Sequence, residues 1–158
     1  MGHRTMNYWL MKSEPETFGI EHLQRASNST HCWDGVRNYQ ARNYMRDSMN
    51  IGDQAFFYHS NCKVPGIVGI AEIASESYPD YTAFNPESKY YDPKTNRDNP
   101  RWFMRDIKLV KIFKDIISIK ELRSNLLLEK MVILKPGNRL SITPVTKQEW
   151  QAILKMTV

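Results

Sequence analysis

The eleven residues Trp33-Asp34-Gly35-Val36-Arg37-Asn38-Tyr39-Gln40-Ala41-Arg42-Asn43 constrain this chain more than any other stretch. They gather an indole, a glycine, two guanidinium groups and three carboxamides, with Val36 and Ala41 as the only aliphatic side chains. Such a run cannot be buried as an ordinary core element, because each unpaired polar group taken out of water costs free energy. It predicts the wall of a polar pocket that grips something flat and rich in hydrogen-bonding groups. A nucleobase has that character.

Two other segments are built alike. In Tyr8-Trp9-Leu10-Met11-Lys12-Ser13-Glu14-Pro15 an apolar strand runs into Lys, Ser and Glu and is stopped by Pro. In Phe56-Phe57-Tyr58-His59-Ser60-Asn61 an aromatic strand ends in His, Ser and Asn. A hydrophobic strand with a polar cluster at its end is how a rigid scaffold presents side chains to a ligand.

The remaining elements follow from period and punctuation. A short helix is expected over 19–25, and one capped by Asn38 runs to about Ser48, with Ala41, Tyr44, Met45 and Met49 as its apolar stripe. Strands are expected over 54–59 and 66–74, paired antiparallel. Residues 76–101, rich in Tyr, Pro, Asp and Asn, read as a long ordered excursion. Trp102 to Ile119 reads as one bent strand or two, followed by a helix near 119–128 and a strand over 140–145. Thr146 with Glu149 forms a capping box that opens a last helix with Trp150, Ile153 and Leu154 inward. The order of elements, with no repeating βαβ unit, gives an α+β domain in which five or six mostly antiparallel strands curl into a small barrel, helices outside.

Charge and composition bound the function. The 158 residues suit a single domain with a core of its own, preceded by a flexible N-terminus over residues 1–6. Lys and Arg number 22 against 17 Asp and Glu, a net charge of +5 that permits a polyanionic partner without demanding one. No apolar run is long enough for a bilayer and no signal peptide is visible, so no membrane is expected and the cytoplasm, or the nucleus in a eukaryote, is the default. Two cysteines, Cys32 and Cys62, make no disulfide framework, and His3, His22, His31 and His59 lack ligand spacing, so no metal is expected. Phosphate-loop and dinucleotide glycine patterns are absent too, and no cofactor is expected.

The three clusters together resemble the EVE domain, of the PUA-like superfamily that also holds the YTH and ASCH domains. Further matching runs are Gly66-Ile67-Val68-Gly69, Tyr78-Pro79-Asp80, Tyr90-Tyr91-Asp92-Pro93, Pro100-Arg101-Trp102 and Arg139-Leu140-Ser141 with Pro144-Val145. The resemblance runs from about residue 7 to the C-terminus. It implies a PUA-like β-barrel with a pocket between barrel and helices, and binding of modified bases, notably modified cytosines in DNA or modified nucleotides in RNA.

The candidate pocket comprises Lys12, Ser13, Trp33, Val36, Asn38, Tyr58, His59 and Ser60. Trp33 is either a stacking platform for an unstacked base or an indole packed on the barrel. Asn38 either reads a base edge or only caps a helix. His59, Ser13 and Ser60 are hydrogen-bonding candidates with turn-capping as the alternative, and Tyr58 is cage or core. Arg37, Tyr39, Arg42 and Arg46 are the expected backbone and phosphate contacts. No catalytic residue is assigned. A monomeric reader without chemistry is the leading expectation, with an ASCH-type nuclease using His59, or a small-molecule sensor, as alternatives.

Overall fold

A computed structural model describes residues 6–157. The expected flexible N-terminus, apart from Met6, lies outside the described residues. Among the described residues, seven strands and five α-helices occur in the order β1 (Tyr8–Ser13), α1 (Pro15–Phe18), α2 (Ile20–Arg25), β2 (Thr30–Trp33), α3 (Tyr39–Asn43), β3 (Gln54–His59), β4 (Gly66–Ile73), β5 (Tyr78–Pro79), β6 (Phe103–Ser118), α4 (Ile119–Ser124), β7 (Ile142–Val145) and α5 (Lys147–Lys155). The class is α+β, as expected.

The sheet runs β2-β6-β4-β3-β1-β7, with β5 attached to β6. It is mixed: β1 and β3 are parallel and every other pair is antiparallel. Among the described residues β2 and β7 end the path and do not pair with each other, so the sheet is open and has seven strands, where a small barrel of five or six was expected. Strand β2 accounts for one of the additional strands. Its four residues lack the alternating apolar pattern; the ladder with β6, Thr30 opposite Lys108 to Trp33 opposite Arg105, makes them a strand.

Both faces of the sheet are covered, which period-2 alternation explains. Trp9 and Met11 of β1, with Ala55 and Phe57 of β3, enter one core alongside Leu23, Trp33, Val36 and Met45. Leu10, Phe56 and Tyr58 point the other way, into a second core with Trp150 and Ile153 of α5. There Trp150 stacks on Phe56 at 3.9 Å between centroids. The capping box closes as expected: Thr146 Oγ1 accepts from Glu149 N at 3.1 Å, and Glu149 Oε1 accepts from Thr146 N at 3.0 Å.

The long strand β6 bends because its register against β4 shifts twice, near Gly69. A Cβ on Gly69 would collide with the Lys111 carbonyl oxygen, so the two backbones approach closely only because no side chain intervenes. The helix after Asn38 is shorter than expected: α3 gives way to a π-helical turn over Tyr44–Ser48. Arg105, buried opposite Trp33, donates to the carbonyls of Met45, Met49 and Ser75 and so ends that turn against the sheet. One ladder rung therefore anchors both the strand that carries Trp33 and the helix that follows it.

Candidate functional site

Beyond the C-terminal ends of β1 and β3 lies a cavity of about 920 Å³. That is at the upper end of small-molecule sites, roughly 300–1,000 Å³, and leaves room for a base with its sugar and phosphate. The parallel register brings Ser13 opposite His59, and Ser60 N then donates to Ser13 O at 2.9 Å. Ser13 and Ser60 thus share one rim, with Lys12 beside them. Burial holds the Lys12 ammonium below its ordinary pKa, so an anion or carbonyl brought to it replaces water it has already lost.

The apolar wall is aromatic. Trp33 lies edge-on to Phe57 at 5.4 Å and to Phe18 at 6.0 Å. Phe18 in turn packs against His31 at 4.9 Å and His22 at 6.2 Å. Trp33 lines the cavity, but at 5% exposure it is a packed wall and not the open platform on which a base would lie flat. Val36 is also at the cavity and equally buried.

The third wall comes from the 76–101 excursion, through Lys89 and Tyr90. Gly35 decides how close it comes. Its φ of +79° suits glycine, and a Cβ there would sit 2.5 Å from the Tyr90 ring. The excursion is tied down by Asp80, fully buried, which accepts from Gly35 N at 2.8 Å, Thr82 N at 2.9 Å and Arg37 Nη1 at 3.0 Å.

Arg37 completes that tie. Its guanidinium donates five hydrogen bonds: two to Tyr90 O and one each to Val36 O, Asp80 and Thr82 Oγ1. A guanidinium has five N–H groups, so none remains for a phosphate. The expectation of a phosphate contact at Arg37 is corrected accordingly.

Three further expectations are corrected by geometry. Asn38 Oδ1 accepts from Ala41 N at 3.0 Å; it caps α3 and does not line the cavity. Tyr58 lies in the second core, across the sheet, because β3 alternates. His59 lines a separate groove of about 390 Å³ and its Nε2 accepts from Ile20 N at 3.1 Å. Tyr39, Arg42 and Arg46 form an outward-facing group away from the cavity: Tyr39 stacks on Trp102 at 4.9 Å, Arg42 lies 4.7 Å above the Tyr39 ring, and Arg46 pairs with Asp47 at 2.8 Å.

Sequence reasoning passed over Phe18, His22, Arg25, His31, Lys89 and Tyr90 as cavity residues, and reached Asp34 only as a member of the polar run. A signal existed for one: once 30–33 is a strand, His31 and Trp33 share a face. Arg25, exposed at the end of α2, and Lys89 place positive charge at the rim. Cys32 sits among acidic groups, and burial together with Asp34 and Asp106 pushes its thiol up to about 11, so it stays protonated at neutral pH. Among the described residues no group of three or more His, Cys, Asp or Glu side chains is disposed to hold a metal ion, and no helix is long and apolar enough to cross a membrane.

A curved α+β sheet whose strand ends open into a polar, aromatic-walled cavity defines the PUA-like class. The chain belongs to the EVE domain family, whose model matches residues 7–156. Thymocyte nuclear protein 1 of Rattus norvegicus is 45% identical over 171 residues, covering 98% of this chain and 75% of the relative. A Pseudomonas syringae protein of known crystal structure superposes with a TM-score of 0.91 at 47% identity, over 96% of this chain and 99% of its own. The human THYN1 protein, crystallised in complex with 5-methylcytosine containing DNA, superposes with a TM-score of 0.91 at 44% identity, over 96% of this chain and 97% of its own.

Proposed function

We propose that this chain is a nucleic-acid reader module that takes a modified, cytosine-derived base out of its strand and holds it in the cavity beside Trp33, without chemistry. The observation that carries the reading is the cavity itself: aromatic walls from Phe18, Trp33 and Tyr90, hydrogen-bonding groups from Lys12, Ser13 and Ser60, and a cationic rim from Arg25 and Lys89. An extruded base needs those three things together: an apolar enclosure, groups that read its edge, and charge for the flanking phosphates. The relative bound to 5-methylcytosine containing DNA supports both the guest and DNA as its carrier. Arg25 and Lys89 replace Arg37 as the phosphate contacts; Tyr39, Arg42 and Arg46 are assigned no contact with the guest. His59 reaches a different groove and is bonded to the start of α2, so nothing in its surroundings favours the nuclease reading.

Fluorescence anisotropy with DNA bearing one 5-methylcytosine tests this. Lys12→Met and Ser60→Ala should each weaken binding, Lys12→Met by about tenfold, as expected for losing a hydrogen bond to a charged group. The affinity should also fall with salt, by roughly 0.7–0.9 in log–log slope for each phosphate neutralised. Wild-type affinity in both variants would remove the cavity from the reading.

A further inference from the structure

Two carboxylates line the cavity, and they are not equivalent. Glu14 Oε1 accepts a hydrogen bond from Asn61 Nδ2 at 3.3 Å, and its backbone carbonyl opens α1. Asp34 is half-buried, and among the described residues no other residue donates a hydrogen bond to its carboxylate. Apart from its own backbone N–H, no protein group claims its acceptor lone pairs, and the rest are left to the cavity.

The position of that acceptor is fixed from both sides. Trp33, before it, is locked into the ladder opposite Arg105. Gly35, after it, donates its N–H to buried Asp80 at 2.8 Å and packs against the Tyr90 ring. Asp34 therefore has little backbone freedom to lose when a guest arrives. Its electrostatic surroundings act in the same direction. Burial, and then the negative charge of Asp80, raise the Asp34 pKa above its ordinary value, against the pull of His31 and Arg37. An under-compensated carboxylate in a partly dry site gains more from a guest's N–H than it would in water.

We infer that Asp34 is the specificity-determining acceptor of this cavity, selecting a base that carries an exocyclic amino group over one that carries a carbonyl at the same position. The inference rests on the reader function proposed above. The chemistry is set by sign. An amino group gives Asp34 a charge-assisted hydrogen bond. A carbonyl oxygen brings a second acceptor against it in a confined site, leaving both unpaired. 5-Methylcytosine and thymine isolate the effect: they share ring and methyl group, and differ at the amino or carbonyl substituent and at the ring nitrogen beside it. Acidic side chains accept from the cytosine amino group by this logic in other settings, and such a contact is worth roughly 5- to 150-fold in discrimination.

The test compares DNA oligonucleotides identical except for one central base: 5-methylcytosine, thymine, or 5-methylpyrimidin-2-one, which lacks the 4-substituent. Wild-type protein should prefer 5-methylcytosine to both others, by roughly 5- to 150-fold over thymine. In Asp34→Asn the preference over thymine should collapse to within about threefold, since a carboxamide turns either its oxygen or its NH2 to the guest. Thermal melting reports whether the isosteric variant is folded, and the pyrimidinone arm probes the same contact from the guest's side in unaltered protein. Equal wild-type affinity for 5-methylcytosine and pyrimidinone, or an undiminished preference in folded Asp34→Asn, overturns the role of Asp34 alone. Absence of any Lys12-dependent binding to 5-methylcytosine DNA overturns the reader function, and this inference with it.

Discussion

Arg37 and Asp34 lie three positions apart in the same polar run, and the protein uses them in opposite ways. At Arg37 and Asn38 the run is turned on the protein itself: Arg37 spends every N–H on Tyr90, Asp80, Thr82 and Val36, and Asn38 caps α3. From Trp33 to Gly35 it faces the cavity, with Asp34 unclaimed by any neighbouring donor. One half of the run builds the wall, and the other half presents it. A guanidinium whose donors are all matched is a structural part whatever its charge, and a carboxylate held short of partners is the group left for a guest.

Four outcomes would break or sharpen that contrast. The largest belongs to Asp80→Ala, which leaves Arg37 and Gly35 N without their shared acceptor; unfolding free energy should drop by about 3–5 kcal/mol in a urea titration. A loss within the ordinary surface range would show that Arg37 is not a structural part. Gly35→Ala should come next, at about 1–3 kcal/mol, because it forces an unfavourable φ and a clash with the Tyr90 ring. That variant should also lose DNA binding, since Tyr90 must leave its wall; retained binding would place the guest elsewhere. Asn38→Ala should lower stability by about 1 kcal/mol, the value of a helix cap, while affinity for DNA stays within about twofold. A tenfold loss there would return Asn38 to the site.

The smallest effect is a pH dependence. His59 Nε2 and His22 Nδ1 accept the N–H groups of Ile20 and Gly19, which begin the helix carrying part of the cavity wall. The His59 acceptor requires an unprotonated nitrogen. Burial holds the His59 pKa below its ordinary 6.5, reinforced by His22 and opposed by Glu21. A depressed folded-state pKa contributes stability above the unfolded value of 6.5, and that stability is lost as pH falls through the folded value. Melting temperature should decline on acidification below about 6.5, and His59→Gln should flatten the decline. An unchanged slope in that variant would assign the acid sensitivity to other groups.

What could be read in advance was local. Strand β1, the β3–β4 pair and the Thr146 capping box rest on alternation and on partners three residues away, and these survive any tertiary arrangement. Within the site, the polar ends of β1 and β3 were recognisable as rim material, and Lys12, Ser13 and Ser60 do lie on the cavity. Asn38, Tyr58 and His59 were not distinguishable from them by type. Asn38 is an equally good cap, Tyr58 is decided by the face its strand buries, and His59 by whether Ile20 N reaches it first. The short β2 escaped because four residues with little alternation have no period to read; pairing with β6 made them a strand.

By itself, the order of residues determined that an apolar strand would end in Lys12-Ser13, that an indole would sit inside a polar run, and that the chain would fold as α+β. These depend on side-chain chemistry and on neighbours a few positions apart. Which donors remained free was decided only by the tertiary structure. Asp80, Thr82 and Tyr90 approach Arg37 from more than forty positions along the chain, and a hydrogen-bonding group becomes wall or reader according to which partner is within about 3 Å of it.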